Sequence, residues 1–139
     1  MLLERGITGF FNCEPLEEND YTAFKRACYA VRDYWDLRDI GRPDCANYFY
    51  AQFTADGQNL YLLLNRYYPV IGFTHALDLY EKTFIDVPEN PVMNYDIVPA
   101  EILNAPFKNI KHNLSKGELK EIQYWNPISI GNILFNEWD

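Results

Sequence analysis

A chain of 139 residues, 48% of them hydrophobic, is long enough to bury one core as a single domain, residues 1–139, without a metal or disulfides to hold it. Its formal net charge is −8 and no Lys/Arg run exceeds two residues, which argues against nucleic acid as a partner, because displacing phosphate counterions takes cations. Three scattered cysteines (Cys13, Cys28, Cys45) without a CxxC argue against a disulfide framework, and no stretch approaches the roughly 20 apolar residues of a membrane-spanning helix.

The N-terminus, MLLERGITGFF, lacks the apolar run of a signal peptide, so a cytoplasmic location is expected. Ile7 to Phe11, flanked by Gly6 and Gly9, reads as an opening strand or extended segment. Glu14 to Asp20 is acidic, contains Pro15 and leads into a helix.

Residues 20–37 carry the strongest helical signal. Tyr21, Phe24, Cys28, Val31 and Trp35 recur at spacings of three and four, which places them on one stripe. Asn19 or Asp20 caps the start, Glu17 and Glu18 favour the positive end of the dipole, and Gly41 and Pro43 stop the helix. The opposite face, with Lys25, Arg26, Arg32, Asp33 and Asp36, is polar. Asp39 falls near the helix end, where negative charge is unfavourable.

A hairpin follows. Tyr48–Thr54 and Leu60–Asn65 are separated by ADGQN, whose Asp-Gly suits a turn. Phe49, Ala51 and Phe53 share one face; Tyr48, Tyr50, Gln52 and Thr54 share the other. Pro69–Thr74 reads as a third strand and Lys82–Val87 as a fourth, and residues 88–98 as a loop. Pro99–Leu103 starts a short helix. Ser115 and Glu118 fit a capping box for a helix running to about Tyr124 and stopped before Pro127. Gly131–Phe135 reads as a last strand beside Ile7–Phe11, which makes the apolar tail structural. The fold class expected is α+β: a mostly antiparallel sheet, one long amphipathic helix packed on it and short C-terminal helices.

The chemistry-bearing patterns are sparse. Neither GxxxxGK[ST] nor GxGxxG occurs, and Gly6-Ile7-Thr8-Gly9 reads as a turn beside a strand. His75 and His112 lack ligand spacing, GxSxG is absent, and Cys28 on the apolar stripe reads as a small buried hydrophobe. Arg42 near Cys45 is a faint signal for a reactive thiol. Neither a cofactor nor a metal is expected, and no enzyme activity.

The C-terminal stretch Tyr124–Asp139, YWNPISIGNILFNEWD, resembles the pattern YWxPxxxGxxxFNxWD of small bacterial immunity proteins of contact-dependent or polymorphic toxin systems. Arg5–Phe10, RGITGF, is similar to the start of such proteins. The resemblance implies a protein that works by binding and neutralises a cognate toxin, often a basic nuclease. Negative charge speeds association with a positive partner, and tyrosines anchor interfaces. The expected contacts are Glu17, Glu18, Asp20, Asp33, Asp36 and Asp39, with Tyr67 and Tyr68 as aromatic anchors. Two other classes stay open. One is a small-molecule binder or small enzyme with a Tyr-rich pocket between helix and sheet, formed by Tyr48, Phe49, Tyr50 and Tyr61. The other is a homo-oligomeric structural module.

Overall fold

Asp56 and Gly57 set the centre of the fold. In the computed structural model, which describes residues 1–11, 16–78, 81–89, 91–92 and 94–138, both have positive φ, 51° and 76°. Two consecutive positive φ angles match the twist of a tight hairpin, and Gly tolerates them without a Cβ clash. The turn therefore needs only two residues instead of the five between the apolar runs. β3 (Tyr48–Ala55) and β4 (Gln58–Asn65) pair along their whole length, from Tyr48 opposite Asn65 to Ala55 opposite Gln58.

The sheet grows outward from this hairpin. β2 (Asp36–Gly41) pairs with β3, and β5 (Val70–Thr74) pairs with β4, both antiparallel. The outer side of β5 takes two short partners: β6 (Phe84–Ile85), antiparallel, and β7 (Asp96–Ile97), parallel. A separate parallel pair joins β1 (Leu2–Leu3) to β8 (Lys111–His112). The fold is α+β with a mostly antiparallel sheet.

Both faces of the sheet are covered: one alternating set of its central side chains is apolar, and the other sets Tyr48, Tyr50 and Leu63 among polar residues such as Asn65. On one face Phe49, Ala51, Phe53, Leu60, Leu62 and Leu64 pack with Phe24 and Cys28 of α1 (Tyr21–Ala30). On the other, Tyr48 and Leu63 meet the C-terminal half of the chain. That half supplies α2 (Ala100–Leu103), α3 (Lys116–Trp125) and α4 (Gly131–Leu134). Gly72 in β5 lies on this second face, and a Cβ there would meet Leu103 at 2.7 Å and Phe135 at 3.1 Å. The absence of a side chain lets α2 and the tail seat directly on the strand.

Several expected boundaries move. The helix expected over 20–37 ends at Ala30, capped at its start by Asp20 through Thr22 N and Ala23 N. The apolar spacing of three and four runs on through Val31 and Trp35, but Trp35 reaches the core from the turn after the helix. It meets Phe53 and Phe73 edge-on. Residues 36–41 are strand β2, with a bulge between Leu37 and Asp39. The bulge puts Leu37 and Ile40 on one face at a spacing of three, which mimics helical periodicity. Asp36 and Asp39 are thus strand residues, and no helix dipole bears on Asp39.

The tail is the second correction. Gly131–Leu134 is one helical turn, not a strand, with Ile133 N and Leu134 N donating to Ile130 O. Ile7–Phe11 forms no strand: residues 5–9 are turn and bend, with Gly6 and Gly9 at φ 87° and 85°, and the strand lies earlier, at Leu2–Leu3. The strand expected at Lys82–Val87 shortens to Phe84–Ile85. The capping box at Ser115–Glu118, the short helix after Pro99 and the stop before Pro127 are all borne out, the last through Asn126 at φ 48°. Cys13, Glu14, Pro15 and Asp139 lie outside the described residues.

Candidate functional site

The most connected polar cluster joins the two segments of the resemblance. Glu118 is fully buried. Its Oε2 accepts from Thr8 Oγ1 at 2.6 Å, and its Oε1 accepts from Gly6 N and Ser115 N, each at 3.0 Å. Thr8 O in turn accepts from Asn136 Nδ2 at 3.0 Å. Asn47 donates from Nδ2 to Ile7 O and accepts Asn136 N at Oδ1. Asn65 donates to Ile7 O and Leu134 O and accepts from Tyr67 N and Tyr68 N. Each of these side chains is used at both ends, so the cluster holds RGITGF and NEW in place and offers no group to a ligand.

Beside it lies a buried ion pair. Lys82, with a side chain 1% exposed, meets Glu137 at 2.6 Å, and Tyr48 donates its hydroxyl to the same carboxylate. Burial lowers the Lys82 pKa, although Glu137 pulls it back up. Burial, followed by the Glu137 hydrogen bond, raises that of Tyr48. The triad fastens the tail to β3 and to the segment before β6. Burial also pushes the Cys28 thiol up to about 12, so it packs as a hydrophobe and not as a nucleophile.

Of the residues expected to contact a partner, Glu17, Glu18 and Asp20 precede α1, Asp33 and Asp36 follow it about 15 Å away along a ten-residue helix, and Asp39 lies alongside it in a groove with Tyr21 and Lys25. Glu17, Glu18 and Asp20 lie beside the β4–β5 connection, with Tyr67 and Tyr68. Glu18 pairs with Arg66 at 3.2 Å, and Asp20 is occupied as the helix cap. Tyr68 donates its hydroxyl to Arg5 O, and Tyr67 packs edge-on against Phe11 at 5.0 Å. Asp33 and Asp36 lie beyond the other end with Arg32 and Arg38. Asp36 approaches Arg38 at 4.0 Å, and Asp39 accepts from Tyr50 Oη at 2.7 Å and from Ile40 N. Tyr29 and Tyr34, 55% and 70% exposed, flank this second group. β2 is the sheet edge, but its bulge, its charges and the Asp39 cap on Ile40 N all disfavour strand addition there.

The Tyr-rich pocket between helix and sheet does not form. Phe49 faces α1 while Tyr48 faces the tail, and Phe24, Cys28 and Phe53 fill the space under the helix. Tyr50 and Tyr61 lie on the face away from α1, their rings 6.4 Å apart.

The charge of the stretch 67–107 went unread in the sequence, although this is the longest stretch of the chain with a single cation. It carries Asp78, Glu81, Asp86, Glu89, Asp96 and Glu101 against a single cation, Lys82. All six carboxylates are exposed, whereas Lys82 is buried and neutralised by Glu137. The signal was present as a gap of 41 residues between Arg66 and Lys108 with one Lys and no Arg. Within this region a cleft of about 390 Å³ opens at the tip of the β3–β4 hairpin, lined by Trp35, Asp56, Asp86 and Glu89 among others. A second, of about 260 Å³, lies between Phe10, Cys45, Tyr67 and Trp138. Among the described residues, no group of three or more His, Cys, Asp or Glu is placed to hold a metal ion, and no helix is long and apolar enough to cross a membrane.

Comparison of the chain with protein-family models, with curated proteins and with solved structures finds no match.

Proposed function

We propose that this protein neutralises a basic protein toxin by binding it, in the manner of the bacterial immunity proteins that its RGITGF and YWNPISIGNILFNEWD segments resemble. The observation that carries the reading is the run of six exposed carboxylates over residues 67–107 with no exposed cation among them. A surface of one sign raises the encounter rate with a partner of the opposite sign and rejects acidic ones. The toxin, a basic nuclease by the same logic, is drawn to these carboxylates. The acids at the ends of α1 are partly balanced by Arg32, Arg38 and Arg66 and contribute less to that field.

The test is co-expression with the toxin encoded beside this gene, followed by calorimetry of the purified pair. Protection of the host is expected, with binding that weakens steeply between 50 and 500 mM salt, as the Debye length falls from roughly 14 Å to about 4 Å. Unprotected cells together with no binding at low salt would sink the proposal. A small-molecule reading is favoured only by the cleft between Phe10, Tyr67 and Trp138. Its mark is a ligand that protects the chain against melting in the absence of any protein partner.

A further inference from the structure

The cleft at the tip of the β3–β4 hairpin combines two properties that one type of side chain satisfies together. Its floor is apolar, formed by Trp35, Leu60, Ile85 and Val87. Trp35 is held there by edge-on contacts with Phe53 at 5.3 Å and Phe73 at 5.8 Å. Its rim is acidic and drawn from two segments: Asp56 from the hairpin turn, and Asp86 and Glu89 from the stretch that follows β6. Asp86 is steadied by Ala100 N, which donates to its Oδ1 at 2.9 Å. None of the three is in an ion pair among the described residues, and neither Lys nor Arg lines the cleft. The other clefts differ: those along β2 contain Arg38, and that beside Tyr67 contains Arg66.

We infer that this cleft receives an arginine side chain of the protein partner. The inference rests on the basic-partner reading and names the point at which that partner is gripped. The aliphatic stem of an arginine lies on Leu60 and Val87, and its flat guanidinium covers the Trp35 indole and donates to the rim carboxylates. A purely apolar side chain would leave three carboxylates facing it, and a carboxylate would be repelled. Arginine is favoured over lysine because its guanidinium is planar, weakly hydrated, and able to stack on an indole while donating in a fork to a carboxylate. The stem fills the apolar floor while the charged head stays at the rim, as amphipathic side chains do elsewhere.

The cleft is tested with acetyl-arginine-amide as a probe, followed by two-dimensional NMR of the full chain. Acetyl-citrulline-amide serves as the neutral isostere. The Trp35 indole N–H and the Asp56 and Val87 amides are expected to shift saturably with the arginine probe, with citrulline at least about tenfold weaker. The Asp56→Asn, Glu89→Gln double variant changes only exposed groups and should weaken the arginine response by a similar factor. Equal responses to the two probes overturn the inference. So does an arginine response confined to Glu17–Asp39 that leaves Trp35 unmoved. The same double variant then enters the toxin assay, where a loss of at least about tenfold in affinity is expected. Unchanged toxin binding by the variant overturns the cleft assignment and leaves the toxin reading intact. Selective arginine binding by a wild-type protein that binds no toxin overturns the toxin reading alone.

Discussion

Glu118 occupies a position that only an acceptor at both ends can fill. Gly6 N, Thr8 N, Thr8 Oγ1, Ser115 N and Ser115 Oγ all donate to its two oxygens. Glu118→Gln would turn an amide NH₂ toward one set of those donors, so at least one pair is left unmet at a cost of about 1–3 kcal/mol. The expected result is a melting temperature lower by roughly 5 °C or more, whereas Asp20→Ala, which removes an exposed helix cap, costs about 1 kcal/mol. Equal, small losses in the two variants would show that the buried carboxylate is dispensable. Half of this role was legible in the sequence, since Ser115 and Glu118 have capping-box spacing. The other half, the grip on Gly6 and Thr8, spans more than 100 residues and follows no local pattern.

The tail from Ser129 to Trp138 is held as tightly as the sheet it covers. Phe135 is fully buried, with ring centroids 5.7 Å from Phe84 and 6.4 Å from Tyr48. Phe135→Ala should cost about 3–5 kcal/mol, as truncation of a well-packed aromatic does. Deleting residues 135–139 should lower the melting temperature further, because Lys82 then loses Glu137 and stays buried without a counterion. A truncated chain that melts like the full one but loses its partner would make the tail a binding element instead. The burial of this segment was legible from its apolar content. Its conformation was not: a single turn such as Gly131–Leu134 is too short for a period of 3.6 to be told from one of 2. Gly131 itself is explained by packing, since a Cβ there would collide with the Phe84 ring. The same ambiguity, with a bulge at Arg38, joined α1 and β2 into one expected helix.

The whole molecule should lose stability in alkali. The Cys28 thiol is raised by burial from 9.0 to about 12, and Tyr50 is raised from 10.0 to about 12, first by its hydrogen bond to Asp39 and then by burial. Tyr48 is raised as well, first by burial. In each case the unfolded chain releases its proton before the folded one. The unfolded state therefore holds fewer protons from about pH 9 upward, and unfolding becomes easier as pH rises toward 12. Lys82 acts in the opposite sense, because its folded form gives up a proton more readily than its unfolded form. Thermal melts between pH 7 and pH 11 check the sum, an alkaline window set by the ordinary Cys and Tyr values of 9.0 and 10.0. A falling melting temperature is expected, with Cys28→Ala flattening its onset even though that variant starts from a lower value. A flat profile in the unaltered protein contradicts the assignment. The six exposed carboxylates of residues 67–107 have no exposed cation beside them in the sequence, while the acids near α1 share their surroundings with arginines.

The class of fold, the β3–β4 hairpin, the α3 capping box, the buried Cys28 and the inward place of the tail can all be read along the linear chain. Each of these rests on interactions within a few residues or on hydrophobic content, which a linear chain displays directly. Where α1 ends, the helical turn of the tail, the hold of Glu118 on the N-terminal turn and the meeting of Trp35, Asp56, Asp86 and Glu89 in one cleft emerge only once the chain is folded. Those features depend on contacts between distant segments. A spacing of three can come from a helix or from a bulged strand, and a carboxylate's partners are fixed by which turns the sheet brings beside it.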